Sequence, residues 1–365
     1  MDSLTQFALG ATIGMATLGR RMGARKAAVT GGLLATLPDL DVFVPFDNPV
    51  DDFVLHRGAT HSLVMHTLAT PLIGEALHRL LPSLAGLRWR TWTTVFLCLT
   101  THALLDAMTV YGTQLFWPVW KEPLGLGSVF IIDPLYTLPL LFVTVWALVA
   151  GGWTRRLRNA AAAVLLVSTT YLGWSAIAQQ IAVGRGEQAL AAAGITASRT
   201  MAIPTPFNTL FWRIIAVDGP QYYNIYVPLL GDEGTVTAYR HRRGDASARC
   251  LARVEHIKTL AAFSDGFYRL DRQDGELVVS DLRMGLTPDY VFRFAVGASA
   301  NAPADNVTGG EPYPKQVRSN RDFESDLGWL KAGIAGRMAV RPSEASYLIS
   351  GDQPVPSEDT SATGC

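Results

Sequence analysis

Three short motifs in the first third of this chain supply closely spaced imidazole and carboxylate groups. Pro38-Asp39-Leu40-Asp41 closes one apolar run, His56-Arg57-Gly58-Ala59-Thr60-His61-Ser62 opens the next, and His102-Ala103-Leu104-Leu105-Asp106 lies inside another. His102 and Asp106 are four residues apart, which places both on one helix face about one turn from each other. One helix can chelate a divalent ion with that spacing. Asp39 and Asp41, two apart, can flank one cation or divide between two. His56 and His61, five apart, would point about 140° from each other on a continuous helix. Their convergence needs a break, which Gly58 and Thr60 allow, with Thr60 as N-cap of a helix from His61. Imidazole with carboxylate suits zinc, manganese or iron better than calcium or magnesium. The candidate metal ligands are therefore Asp39, Asp41, His56, His61, His102 and Asp106. Six ligands exceed the needs of one tetrahedral zinc. The surplus would serve a second ion, or leave Asp41 as a general base.

Taken singly, each motif has a bland explanation: a helix terminus, a solvated turn, a hydrogen-bonded histidine. The argument for a metal is that three such pairs interrupt three apolar segments, where unpaired burial would cost several kcal/mol each. An Asp–His hydrogen-bond network is the rival. Arg57 is placed to hold an anionic substrate group, with a surface arginine as its ordinary alternative. His66 falls behind His61 or in the helical interior, and His78 at a segment end. Asp133 precedes Pro134 and could face the site. Tyr111-Gly112-Thr113 and Trp117-Pro118 would shape its rim. His241 and His256 show no partner in the sequence.

The elements that must position these residues read as membrane segments. Pro134–Thr154 and Asn159–Gly184 carry no charge over 21 and 26 residues, and a span needs about 20 mostly apolar residues. Ser3–Gly19, Ala27–Pro38, Ala59–Leu81 and Thr91–Tyr111 are weaker and carry the polar motifs. The expectation is an α-helical multi-pass membrane domain of about five to six helices over residues 1–185. Basic clusters at Arg20–Lys26, Arg88–Arg90 and Arg155–Arg158 fall in alternate loops. Six spans would put all three on the cytoplasmic side and the C-terminal domain on the outer, periplasmic side. The N-terminus has no basic region ahead of its apolar stretch and does not read as a cleavable signal.

The second half reads differently. Residues 186–365 hold 39 charged side chains in 180 residues, against 23 in 185 before them. Phe211–Val217, Tyr222–Leu230, Thr235–Tyr239, Gly266–Leu270, Glu276–Leu282 and Tyr290–Val296 carry strand signals, and Ala246–Ala262 reads as a helix. A small, mostly antiparallel α+β soluble domain over 190–345 is expected, with a loop at Ala298–Asn320 and a disordered tail at 346–365. Cys98, Cys250 and Cys365 offer neither zinc spacing nor a disulfide framework. The zero net charge, 49% hydrophobic content and mean hydropathy of +0.19 exclude a disordered chain and a nucleic-acid binder driven by bulk charge.

Met1-Asp2-Ser3-Leu4-Thr5-Gln6, the three Asp/His motifs and Tyr111-Gly112-Thr113-Gln114 resemble a bacterial inner-membrane family of metal-dependent hydrolases, also called LexA-binding, inner-membrane-associated hydrolases. The resemblance covers about residues 1–140. The Asp/His order is more loosely similar to zinc-dependent phospholipase C-like proteins. Some family members carry His where this chain has Gln6. The resemblance implies a metal-dependent hydrolase of the inner membrane with Asp39, Asp41, His56, His61, His102 and Asp106 as site residues. Two readings follow. In the first, a metal, most naturally zinc, activates water against a phosphoester of a membrane lipid or lipid-linked substrate, with Asp41 and Arg57 as catalytic residues. In the second, a non-catalytic membrane protein uses the cluster structurally or to bind a partner.

Overall fold

The structure is a computed structural model. It describes residues 1–150, 152–232, 235–244, 255–273, 276–296, 313–318 and 324–349. The chain forms two compact units, one of residues 1–44, 56–177 and 206–209, the other of residues 45–55, 178–205 and 210–365.

The first unit is helical. Helices α1 (Ser3–Met22) and α2 (Ala24–Thr36) form a tight hairpin around Gly23. A Cβ at Gly10, Gly14 or Gly31 would fall within 3.0 Å of backbone on the facing helix. Glycine is required at these positions because the two backbones touch. Gly14→Leu is expected to destabilise the full chain by about 2–3 kcal/mol through overpacking. The readout is a lowered unfolding midpoint, and an unchanged midpoint would show that the hairpin can spread without cost.

Asp2 caps α1, accepting from the Thr5 amide. Pro38 ends the helical run after α2 and begins a 3₁₀ turn, Pro38–Phe43. Then follow α3 (Pro49–Leu55), the short turn Ala59–His61, α4 (Leu63–Leu80), α5 (Arg88–Ala107), α6 (Pro134–Val149) and α7 (Arg155–Ala192).

These helices overturn the multi-pass expectation. Among the described residues, α7 is the one helix long and apolar enough to cross a membrane. Helices α2, α3 and α6, with 13, 7 and 16 residues, are shorter than a span requires. The remaining three have the length but not the apolarity. In α1, glycines and threonines dilute the apolar residues. In α4, His66, Glu75, His78 and Arg79 do so, and α5 begins with Arg88 and Arg90 and ends with His102 and Asp106. The alternation of basic loops thereby loses its meaning as a topology, and with it the argument for a periplasmic C-terminus.

The second unit is built on antiparallel sheet. Strands β1 (Arg199–Pro204), β2 (Phe211–Asp218), β3 (Gln221–Pro228) and β4 (Thr237–Arg242) lie in sequence order, with Ile214 opposite Ile225 and Asn224 opposite Tyr239. A second sheet orders β10 (Lys315–Gln316), β9 (Arg293–Ala295), β6 (Glu276–Asp281) and β5 (Tyr268–Gln273). A two-stranded ribbon joins β7 (Gly285–Leu286) to β8 (Asp289–Tyr290). Helix α8 (Glu255–Phe263) and helix α9 (Glu324–Ile334) complete the unit.

Strand β1 was not expected, because its residues Arg199-Thr200-Met201 are polar or half-exposed and it ends in proline. The run Tyr290–Val296 divides between two sheets. Phe53 of α3 packs in this unit, with its ring centroid 4.8 Å from Phe263 and 4.2 Å from Phe292. The N-terminal part of the expected Ala246–Ala262 helix, most of the Ala298–Asn320 loop, Cys250, Cys365 and residues 350–365 lie outside the described residues.

Candidate metal centre

Three elements of the helical unit deliver four side chains to a common point. The 3₁₀ turn after α2 brings Asp39, the turn before α4 brings His61, and the last turn of α5 brings His102 and Asp106. One ligand atom from each lies within 4.8 Å of the other three. His61, His102 and Asp106 are buried and Asp39 is partly exposed.

Five of the six separations are close to those of a coordination shell. His61 Nε2 lies 3.1 Å from His102 Nε2, 3.6 Å from Asp39 Oδ1 and 3.4 Å from Asp106 Oδ2. His102 Nε2 lies 3.4 Å from both Asp39 Oδ1 and Asp106 Oδ2. Ligands held at 2.0–2.2 Å around a tetrahedral ion stand about 3.3–3.6 Å from one another.

Hydrogen bonds fix both imidazoles in the tautomer a metal needs. His102 Nδ1 donates to the Ala35 carbonyl at 2.6 Å. That carbonyl sits in the last turn of α2, where backbone oxygens lack helical partners. Thr60 Oγ1 donates to Asp41 Oδ2 at 2.7 Å, so its lone pair accepts from His61 Nδ1 at 3.0 Å. Both Nδ1 atoms thus hold protons, and both Nε2 atoms present lone pairs to each other and to two carboxylates. Two bare imidazole nitrogens at 3.1 Å repel unless a cation or a proton lies between them. Asp106 Oδ2, buried beside them, accepts no hydrogen bond. The donor set, two imidazole lone pairs facing two carboxylates, fits a divalent transition ion. Such second-row hydrogen bonds are the usual way of orienting metal-bound histidine.

Arg57 closes the site from behind. Its Nε lies 3.1 Å from Asp106 Oδ2, its Nη1 donates to Thr109 Oγ1 at 3.3 Å, and its guanidinium stacks 4.8 Å from the Tyr111 ring centroid. Asp106 Oδ1 accepts from Gln6 Nε2 at 3.0 Å and meets the amino group of Met1. Asp41 and His56 form a neighbouring pair, with Asp41 Oδ1 3.1 Å from His56 Nδ1. In Asp41 burial pushes the carboxyl up, but the hydrogen bond and charge of His56, with the hydrogen bond from Thr60, outweigh it and hold it below the usual carboxylate range.

Residues 1–182 match the family described as YdjM inner membrane protein. The likeness is confined to these N-terminal residues. The match spans all six candidate ligands and most of α7, the helix able to cross a membrane. The Bacillus subtilis (strain 168) protein YfhP, described as uncharacterized, is 30% identical over 159 residues, 42% of this chain and 47% of YfhP. The chain therefore spans about half the length of this curated relative. No solved structure matches.

The structure brings Asp39, His61, His102 and Asp106 together and sets Asp41 and His56 beside them. Several local expectations change. Helix α4 is capped by Ser62, whose Oγ accepts from the Val64 and Met65 amides. Thr60 is instead spent on Asp41 and His61. The break between His56 and His61 is taken by Arg57, at φ +63°, and not by glycine. Arg57 is buried and engaged, where the sequence placed it toward a substrate. His66 Nε2 donates to the Thr60 carbonyl at 2.8 Å, supporting the turn that carries His61. Asp133 caps α6 and accepts from Tyr171 at 2.7 Å, so its carboxylate is used there. Gln6, Thr109 and the Ala35 carbonyl were not foreseen as partners of the ligands. The position of Gln6 in the opening motif was the available signal for the first.

Proposed function

We propose that this protein is a membrane-bound, metal-dependent hydrolase, with a phosphoester of a lipid or lipid-linked molecule as substrate. The observation that supports this reading most is the pair of imidazoles locked with Nε2 lone pairs facing two carboxylate oxygens. Asp39, His61, His102 and Asp106 would hold the ion, most naturally zinc, with manganese or iron as alternatives. When bound, the ion supplies Lewis acidity, which makes water a nucleophile near neutral pH and offsets charge on the substrate.

The chain's own residues do the rest. Asp41 orients His56, whose ring is the most exposed of the candidate groups, with 27% of its side chain accessible. His56 takes a proton and returns it to the leaving oxygen. Arg57 holds Asp106 in place, a positioning role that its burial and its Asp106 contact both support.

The test is hydrolysis of a phosphoester by the purified full chain. Activity is expected to fall at least about 100-fold after chelation and to return with zinc or manganese, as water activation by an ion requires. His56→Gln should lower kcat about 100-fold while leaving bound metal unchanged, the usual scale for loss of acid–base help. Activity indifferent to chelation would overturn the reading and leave the cluster as a structural or partner-binding feature.

A further inference from the structure

The turn that carries Asp39 and Asp41 has two unlike faces. Both carboxylates point toward the imidazoles, while Leu40, Val42 and Phe43 between and after them point outward. A second apolar loop lies on the other side of the His61 turn. There Phe116 and Trp120 stack with rings 6° from parallel, and Val119 stands beside them. These six side chains are 42% to 84% exposed.

The two loops are tied to one segment. Thr60 Oγ1 and the Arg57 amide donate to Asp41 on one side. On the other, the Leu63 amide donates to Leu115, Ser62 Oγ to the Trp117 carbonyl, and the Gln114 amide to Arg57. The exposed apolar residues therefore flank the stretch Arg57–Leu63, with the ligand His61 in its middle. Water-facing loops around a polar site do not ordinarily present large apolar side chains on both flanks. Aromatic and aliphatic side chains at the lipid headgroup level do so. The same unit matches an inner-membrane family and contributes residues of α7, the helix able to cross a bilayer.

We propose that these two loops form a collar that seats in the boundary between lipid headgroups and acyl chains. The metal centre then opens onto lipid, and its substrate is a membrane-resident molecule presented by its headgroup. The substrate half of this inference rests on the hydrolase reading, whereas the seating of the collar does not.

The experiment uses the full chain reconstituted in nanodiscs of phosphatidylethanolamine and phosphatidylglycerol. Environment-sensitive labels are attached at Phe43→Cys and Trp120→Cys in a Cys250→Ser, Cys365→Ser background, with buried Cys98 retained. Lysine 258, exposed on α8, supplies a control label through Lys258→Cys. Labels at 43 and 120 are expected to shift to the blue, to be quenched by lipids brominated on the acyl chain and to resist aqueous iodide. The control should respond only to iodide. Quenching of all three by iodide, or shielding of 43 and 120 from both quenchers (as beneath a protein partner), overturns the collar.

A second arm reads the substrate. Phe43→Ser combined with Trp120→Ser should retain metal and turnover of a soluble phosphoester, yet lose at least tenfold in turnover of a lipid phosphoester in vesicles. Equal turnover of both by the double variant overturns lipid presentation. If wild type hydrolyses neither substrate, the hydrolase reading fails while the quenching result still decides the collar.

Discussion

Purified wild-type protein is expected to carry stoichiometric transition metal, and His102→Ala protein to lack it. The reason lies in how few ligands could replace it. His102 Nε2 stands within 3.4 Å of the other three ligand atoms and is held there by the Ala35 carbonyl. Alanine removes the donor and frees that carbonyl at once. Loss of an outer hydrogen-bond partner alone costs about 10–100-fold in metal affinity, so loss of a ligand should exceed about 100-fold. Competition against a chromophoric chelator measures this, together with elemental analysis of the purified protein.

Asp106→Asn, nearly isosteric, guards against a folding artefact. It retains an oxygen for Gln6 or Arg57 but removes the negative charge, and should also lose the ion. His66→Ala supplies the opposite control. It removes support from the Thr60 carbonyl without touching a ligand, and should keep metal within the range of an outer partner. Metal absent from wild type and from all three variants alike would identify the cluster as a proton-sharing Asp–His network. In that case one Nε2 must carry a proton to bridge the 3.1 Å gap.

The parts of this site that were legible in the sequence are those that depend on local periodicity. The i, i+4 pairing of His102 and Asp106 needs only a helix, and α5 provides it. Asp39-Leu40-Asp41 after Pro38 needs only a helix end. What local spacing could not show is which carboxylate serves which imidazole. The turn through Arg57 decides that, because its left-handed backbone sends His56 toward Asp41 and lets His61 reach the centre. Arg57 was read as a substrate-binding group because a free guanidinium beside two candidate ligands suits an anion. Its contacts with Asp106, Thr109 and Tyr111 come from residues about 50 positions away, which no local pattern reports.

The error about membrane spans has a related cause. An uncharged run such as Ser3–Gly19 shows where charge is absent, but α1 spends that run on glycine contacts with α2 and on buried threonines. Helix α7 differs because its apolar residues, Leu166, Val167 and Ile177 among them, remain exposed along its length.

Glu344→Gln is expected to destabilise the sheet-bearing unit by about 3 kcal/mol or more, the scale of breaking a buried charge pair from one side. In the sequence Glu344 is one acidic residue among many and His241 has no visible partner. In the structure Glu344 is fully buried and accepts four hydrogen bonds: from Asn224 at 2.5 Å, Tyr226 at 2.6 Å, His241 at 2.7 Å and Arg341 at 2.9 Å. Arg341 also pairs with Asp326 at 2.6 Å. The carboxylate thereby links the turn Pro342–Tyr347 to strands β3 and β4. Glutamine keeps one accepting oxygen and adds an amide that faces donors, so at least two of the four are left unpaired in a dry interior.

The pH dependence gives the same group a second signature. Burial alone would raise the Glu344 carboxyl, but the hydrogen bond from His241 and the charge of Arg341 outweigh it and hold it at about 2, against 4.5 when unfolded. A carboxyl depressed in the folded state contributes stability that is fully present above the unfolded value and is lost as pH falls toward the folded one. Between about pH 4.5 and 2, wild type should therefore lose on the order of 3 kcal/mol from this group. Glu344→Gln should begin lower and lose correspondingly less over the same interval. Hydrogen exchange of the β3 amides around Asn224 in the full chain reads both effects. Parallel pH curves for the two proteins would show that the four donors stabilise the turn through geometry alone, with no preference for the charged carboxylate.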